Sequence, residues 1–96
     1  MRTFGTDSPK FFRFAIEGVE GEFAIPRMAS LPVTLSARFA DVYGIEDETA
    51  KNNAAFRLQV DILERYLPAE VVETIDAATM GAIMEAYVSE EAEAGE

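Results

Sequence analysis

The densest group of potential ligand atoms in this sequence is the acidic run Glu46-Asp47-Glu48. Adjacent carboxylates suit a hard cation such as Ca²⁺, which takes oxygen ligands. The ligand pattern of a calcium loop is absent, however, and the run falls where a helix is predicted to begin. Acids at a helix start complement the helix dipole and accept hydrogen bonds from free N–H groups. We therefore interpret Asp47 as a helix N-cap, and we predict no metal site.

The residue types that most often carry catalysis are missing or lack a motif. The chain contains no histidine and no cysteine, which removes the commonest general base and the usual nitrogen and sulfur metal ligands. Ser30, Ser36 and Ser89 lack the flanking residues of a catalytic serine. Gly18 and Gly21 belong to a predicted hairpin rather than to a phosphate-binding loop. We predict that the chain is not an enzyme and binds no cofactor.

Composition limits the remaining classes. The 96 residues make one domain, and eighteen acids against eight bases give a net charge of −10. This balance argues against binding to nucleic acid phosphates or to an anionic membrane surface. No apolar run approaches the roughly 20 residues that span a bilayer, and no signal peptide is visible. We expect a soluble intracellular protein.

The clearest local pattern is a β-hairpin, with strands at 11–16 and 19–25 around a two-residue turn at Glu17-Gly18. One face would be apolar and pack on the rest of the chain, and Pro26 would end the second strand. The predicted pairs are Ile16 with Val19, Phe14 with Gly21 and Phe12 with Phe23 on the apolar face, and Arg13 with Glu22 and Ala15 with Glu20 on the other.

The rest of the chain predicts four helices, at about 33–43, 48–67, 68–75 and 80–90. Gly44 follows the first helix, Pro68 suits the first position of the third, and Thr79 is the predicted cap of the fourth. The fold class is therefore α+β and mostly helical: a two-stranded antiparallel hairpin followed by about four helices in a small bundle. Residues 1–10 form a flexible arm, 11–90 the single domain, and 91–96 an acidic flexible tail.

The second helix carries apolar residues over about half of its circumference, in two stripes. Such a helix is sandwiched, either between the hairpin and other helices or by a second subunit. The stripe Phe56, Val60, Leu63 and Leu67 is our hypothesis for an intermolecular interface. Met80, Met84 and Tyr87 of the fourth helix are further candidates, because Met adapts to varied partners and Tyr is amphipathic, although core packing is the favoured explanation for all three.

Four segments of the chain, by their order and by the residue types within them, resemble a known family. The segments are FRFAIEGVEGEFAIP (12–26), MASLPVTLSARFADVYG (28–44), AAFRLQVDILERYLP (54–68) and IDAATMGAIMEAYVSE (75–90). Together they resemble the small tail assembly chaperones of long-tailed, siphovirus-type bacteriophages and prophages, especially actinobacterial ones. In that family a hairpin precedes the helices, and Tyr87 stands where relatives often carry Trp.

The resemblance implies a function that needs no catalytic group. Such chaperones bind the long helical tape measure protein and keep it soluble, and they help the major tail tube protein to polymerise around it. They act in the cytoplasm of the bacterial host and are absent from the finished virion. Many also exist in a longer form made by programmed ribosomal frameshifting. Formation of a homo-oligomer by this chain is compatible with that function.

Two other classes stay open from the residues alone. One is an acidic anti-host or regulatory protein that binds a basic partner, which the net charge favours, although the acids are spread along the chain. The other is a small structural protein of the tail or of head completion. The first alternative predicts a salt-sensitive complex, and the second predicts that the chain is found in virions.

Overall fold

The computed structural model describes the backbone of residues 1–4 and 10–94, and the side chains of these residues as far as Ser89. The predicted arm and acidic tail therefore lie partly outside the described residues. The elements, in order, are β1 (Phe11–Phe14), β2 (Phe23–Pro26), a 3-10 turn (Met28–Ser30), α1 (Val33–Tyr43), α2 (Glu48–Tyr66), α3 (Ala69–Thr74) and α4 (Ala77–Ala94). This order confirms the predicted α+β, mostly helical fold.

The hairpin forms, but its predicted register is wrong by two residues. Phe12 pairs with Ile25 and Phe14 with Phe23, and the strands are joined by a loop over 15–22. The predicted turn is present, because the Val19 N–H donates to the carbonyl oxygen of Ile16 at 3.0 Å.

The backbone of the connecting loop explains the shift in register. Gly18 and Gly21 both have positive φ, at 83° and 104°. Gly18 is the third residue of the turn 16–19, and a positive φ at that position alone is typical of a type II turn. The twist of a type II turn does not match that of paired strands. Regular pairing therefore begins only beyond Gly21. A shift of two keeps each side chain on its predicted face.

The apolar face of the hairpin packs on the helices, as predicted. Phe12 and Ile25 are buried, and the Phe12 ring lies edge-on to the Tyr87 ring of α4 at a centroid distance of 5.6 Å. Phe14 stacks on Phe12 and contacts Phe23 across the strands. On the other face, Arg13 forms an exposed ion pair with Glu22 at 3.7 Å. A two-stranded sheet is not stable alone, so the hairpin depends on its packing against α2 and on the contact of Phe12 with Tyr87 of α4.

The first two helices form an antiparallel pair, since the connection between them is short. Asp47 caps α2, and its carboxylate accepts a hydrogen bond from the Ala50 N–H at 2.8 Å. This is the role predicted for Asp47 from the sequence. Gly44 follows α1, but its φ of −79° is right-handed, so the helix does not end in the left-handed cap that glycine often supplies.

The last helix begins earlier than predicted. Asp76, and not Thr79, is the N-cap: the Asp76 carboxylate accepts a hydrogen bond from the Thr79 N–H at 2.8 Å. Helix α4 therefore starts at Ala77, where the sequence predicted Met80, and its backbone stays helical through Ala94. Asp76 and Thr79 can both cap a helix, and the sequence pattern favoured Thr79, which is wrong.

At the third helix, Pro68 precedes α3 rather than occupying its first turn.

One hydrophobic core joins all of these elements, with α2 at its centre, in contact with α1, α3, α4 and β2. The side chains with the least exposure are Tyr87, Ile25, Ile62 and Leu63. The other members of the hydrophobic core are Phe12, Ile16, Leu31, Leu35, Leu58, Leu67, Val71, Met80 and Met84.

Candidate binding surface

Two apolar grooves reach the surface on either side of α2. One lies between α1, α2 and α4, and the other between α2, α3 and the start of α4. They arise because α2 is apolar over too much of its circumference for the neighbouring short helices to cover. The other elements of the same chain therefore cover most of the apolar surface of α2. An uncovered apolar strip remains along each side of the helix.

The first groove, which we call the Gly81 groove, has a volume of about 270 Å³. Its lining is Phe39, Val42, Tyr43, Ala55, Leu58, Gln59, Gly81, Met84, Glu85 and Val88. Met84 and Leu58 form its buried base, whereas Tyr43 and Val88 are 70% and 44% exposed at its rim. Exposed apolar residues that adjoin an open groove make a candidate surface for a partner.

Gly81 is an unusual residue for its place in the chain. It lies inside α4, where glycine destabilises a helix by roughly 1 kcal/mol relative to alanine. A Cβ added at Gly81 would meet no atom within 4 Å. Packing within the chain therefore does not require glycine here, and the missing side chain leaves one wall of the groove open.

The second groove, which we call the Phe56 groove, has a volume of about 210 Å³. Its lining is Phe56, Val60, Leu63, Val72, Ile75, Asp76, Ala77 and Met80. Phe56 is 50% exposed, and Val60 beside it is partly buried. The carboxylate of Asp76 at its edge is already occupied as the cap of α4. This groove is smaller than the Gly81 groove and is lined mainly by apolar side chains.

A polar strip continues outward from Phe56. Arg38 of α1 pairs with Asp61 of α2, and both side chains are about half exposed. Arg57 and Glu64 lie beside this pair along the same depression. Exposed ion pairs contribute little to stability, so this pair adds little to the packing of α1 on α2. The side of α2 that carries Arg57, Asp61 and Glu64 is exposed to solvent.

The structure separates the seven residues predicted to bind a partner. Phe56 and Val60 reach the surface. The other five lie in the core of the chain: Leu63, Leu67, Met80, Met84 and Tyr87. Tyr87 is fully buried, and its hydroxyl donates to the carbonyl oxygen of Pro26. In this conformation the five act as core residues, because Leu63 and Leu67 and the three residues of α4 all belong to the hydrophobic core of the chain.

Sequence reasoning missed the exposed rim of the Gly81 groove. Tyr43 and Val88 are exposed at this rim, and neither was among the residues predicted to bind a partner. Gly81 was not singled out, although a glycine between Met80 and Ile83 in a helical pattern was a visible anomaly. Glycine inside a helix costs about 1 kcal/mol relative to alanine, so this residue departs from the helical pattern around it.

Asp76 is a carboxylate with a shifted pKa, and its environment is that of a helix cap. In the part of the chain whose side chains are described, no three His, Cys, Asp or Glu residues lie close enough to hold a metal ion. Hydrogen bonds from the side chain and the backbone N–H of Thr79 hold the pKa of Asp76 below its usual value. That shift belongs to a helix cap. None of the described helices is long and apolar enough to cross a bilayer.

Comparison with known proteins adds no relative. No protein-family model, no curated protein and no solved structure matches this chain. The two grooves and the fold around them are therefore the structural observations that bear on function.

Proposed function

We propose that this protein is a tail assembly chaperone of a long-tailed bacteriophage or prophage. It binds the tape measure protein, keeps it soluble in the cytoplasm of the bacterial host, and promotes assembly of the tail tube protein around it. The proposal rests on the family resemblance of residues 11–90, together with the apolar surface described above. It leaves the chain outside the finished virion.

The observation that carries the proposal is the pair of apolar grooves along α2. Amphipathic helices bind by laying their apolar face into a groove of this kind. Burial of apolar surface stabilises a complex by roughly 25 cal/mol per Å², before the costs of association are subtracted. Short grooves therefore suit a chaperone that must hold its partner and later release it.

The charge of the chain supports the same job. At a net charge of −10, the protein keeps a complex in solution even when its partner exposes apolar helix. The acids are distributed over the hairpin loop and the exposed sides of all four helices. They do not concentrate beside either groove. A chaperone of this type can act alone or as a homo-oligomer, and the extension of a longer frameshifted form would follow the acidic tail.

Binding measured at rising salt concentration distinguishes this function from the acidic-regulator alternative. We expect the tape measure protein to remain bound to the immobilised chain at about 0.5 M NaCl, because apolar burial is not screened by salt. A complex with a basic host protein that dissociates over the same range would favour the alternative. Detection of the chain in purified virions would favour the structural tail or head-completion protein.

A further inference from the structure

We propose that the Gly81 groove, and not the Phe56 groove, is the seat of the partner helix. The inference rests on the proposed function and assigns it a site. The occupant is an apolar stretch of about two helical turns that carries a lysine or arginine at its edge.

The length of the groove sets the length of the occupant. Along α4 the groove runs from Gly81 to Val88, which is two helical turns or about 10 Å. On the opposite side, Phe39 and Tyr43 are one turn apart on α1 and line the facing wall. A helix lying between these walls would bury apolar residues at positions i, i+3 or i+4, and i+7. Tyr43 and Val88, both exposed now, would be covered by it.

Gly81 allows the partner backbone to come close. A side chain at this position would project into open space, and that space belongs to the groove. The chain keeps a residue that weakens α4 and that its own packing does not need. A helix seated against Gly81 supplies the missing contact. At the rim of the Phe56 groove, by contrast, the half-exposed Phe56 ring already supplies a side chain.

The acidic residue in the groove predicts a basic residue at the edge of the partner helix. Glu85 is the one charged residue among those that line the Gly81 groove, and it lies one turn beyond Gly81 on α4. The chain as a whole carries a net charge of −10. Glu85 complements a basic residue at the edge of a partner helix, and the net charge of the whole chain repels a second copy of this acidic chain. A partner helix is therefore favoured over self-association as the occupant.

Methionine methyl groups report on the two grooves separately. Met84 lines the Gly81 groove and Met80 lines the Phe56 groove, and the chain has only four methionines. The probe is a set of overlapping peptides of about 30 residues that tile the tape measure protein. We expect the peptide that binds to shift the ¹³C-methyl signal of Met84 and to leave that of Met80 nearly unchanged.

Substitutions at Gly81 test the groove without weakening the fold. Gly81→Leu fills the groove and raises helix propensity, so loss of binding cannot be ascribed to unfolding. We expect Gly81→Leu to weaken peptide binding by about tenfold or more, as for loss of a central anchor. Gly81→Ala should bind the peptide more weakly than wild type and more tightly than Gly81→Leu. The matched control is Ala40→Leu, which adds a leucine to an exposed position of α1 outside both grooves.

Each other outcome overturns a specific part of the proposal. A shift at Met80, with binding lost in Phe56→Ala and kept in Gly81→Leu, places the helix in the other groove and leaves the chaperone function standing. A Met84 shift that appears on concentrating the protein without peptide makes a second copy the occupant. If no peptide binds the wild-type chain, the proposed function fails and the assignment of the groove fails with it.

Discussion

The hydroxyl of Tyr87 donates a hydrogen bond to the carbonyl oxygen of Pro26 at a distance of 2.7 Å, inside the core. The two residues are 61 positions apart, so this bond ties the last helix to the end of the hairpin. Pro26 has no N–H, and its carbonyl is the polar group that this end of β2 buries. The Tyr87 ring lies against Phe12, so one side chain joins α4 to both strands.

Replacing Tyr87 by phenylalanine should destabilise the protein by about 1–3 kcal/mol, because the Pro26 carbonyl would stay buried without this donor. The ring contact with Phe12 would remain. The measurement is the free energy of unfolding in urea, and Tyr43→Phe is the control at an exposed position. Equal stabilities for the two variants would show that the bond makes no net contribution.

Replacing Leu63 or Phe56 of α2 by alanine should lower the free energy of unfolding by very different amounts. Leu63→Ala should cost about 2–5 kcal/mol of unfolding free energy, because Leu63 is fully buried and its removal leaves a cavity. Phe56→Ala should cost about 1 kcal/mol or less, because half of its surface is already exposed. A large loss for Phe56→Ala in the isolated chain would mean that its ring is covered in solution.

Two glycines should respond to alanine with opposite signs. Gly18→Ala should destabilise the protein by about 1–2 kcal/mol, because its φ of 83° is strained for any residue with a Cβ. Gly81→Ala should stabilise it by up to about 1 kcal/mol, because Gly81 lies inside α4 with open space around its Cα. Thermal unfolding of both variants checks the pair. A destabilising Gly81→Ala would contradict the space seen at this position.

The cap of α4 should make a small part of the stability depend on pH. The hydrogen bonds from Thr79 lower the pKa of Asp76 below its ordinary value of 3.8 in the folded state. A lowered pKa stabilises the folded state above about pH 4, and this contribution is lost as the pH falls through the folded value.

Asp76→Asn keeps a capping oxygen but cannot ionise, so it is the matched variant for that titration. We expect the stability of wild type relative to Asp76→Asn to decrease as the pH is lowered from about 6 to 3. The other carboxylates titrate in both proteins and cancel in the difference. A difference that stays constant over this range would show that the Asp76 carboxylate is not held in the cap.

Much of the fold could be predicted because its signals are local. The helical periods of 33–43 and 48–67, and the capping residue Asp47, each depend on residues close in the chain. The faces of the hairpin followed from alternation alone. Its register did not, because a shift of two residues preserves the alternation while Gly18 and Gly21 decide where pairing can resume.

The binding surface was harder to predict, because apolar stripes do not say what will cover them. Leu63 and Phe56 belong to the same stripe of α2, yet α3 and α4 bury the first and leave the second half exposed. Tyr43 and Val88 show the converse case: neither was among the predicted binding residues, and both are exposed on the rim of a groove. Only the relative placement of the helices distinguishes these cases.

The central claim is that this chain keeps the tape measure protein in solution by binding its helical segments. Co-expression of the two proteins in bacteria tests it most directly, with the soluble fraction of the tape measure protein as the measured quantity. We predict that this fraction rises several-fold with the wild-type chain and much less with Gly81→Leu, while Ala40→Leu behaves as wild type. A soluble fraction that does not change when the wild-type chain is present would contradict the proposed function.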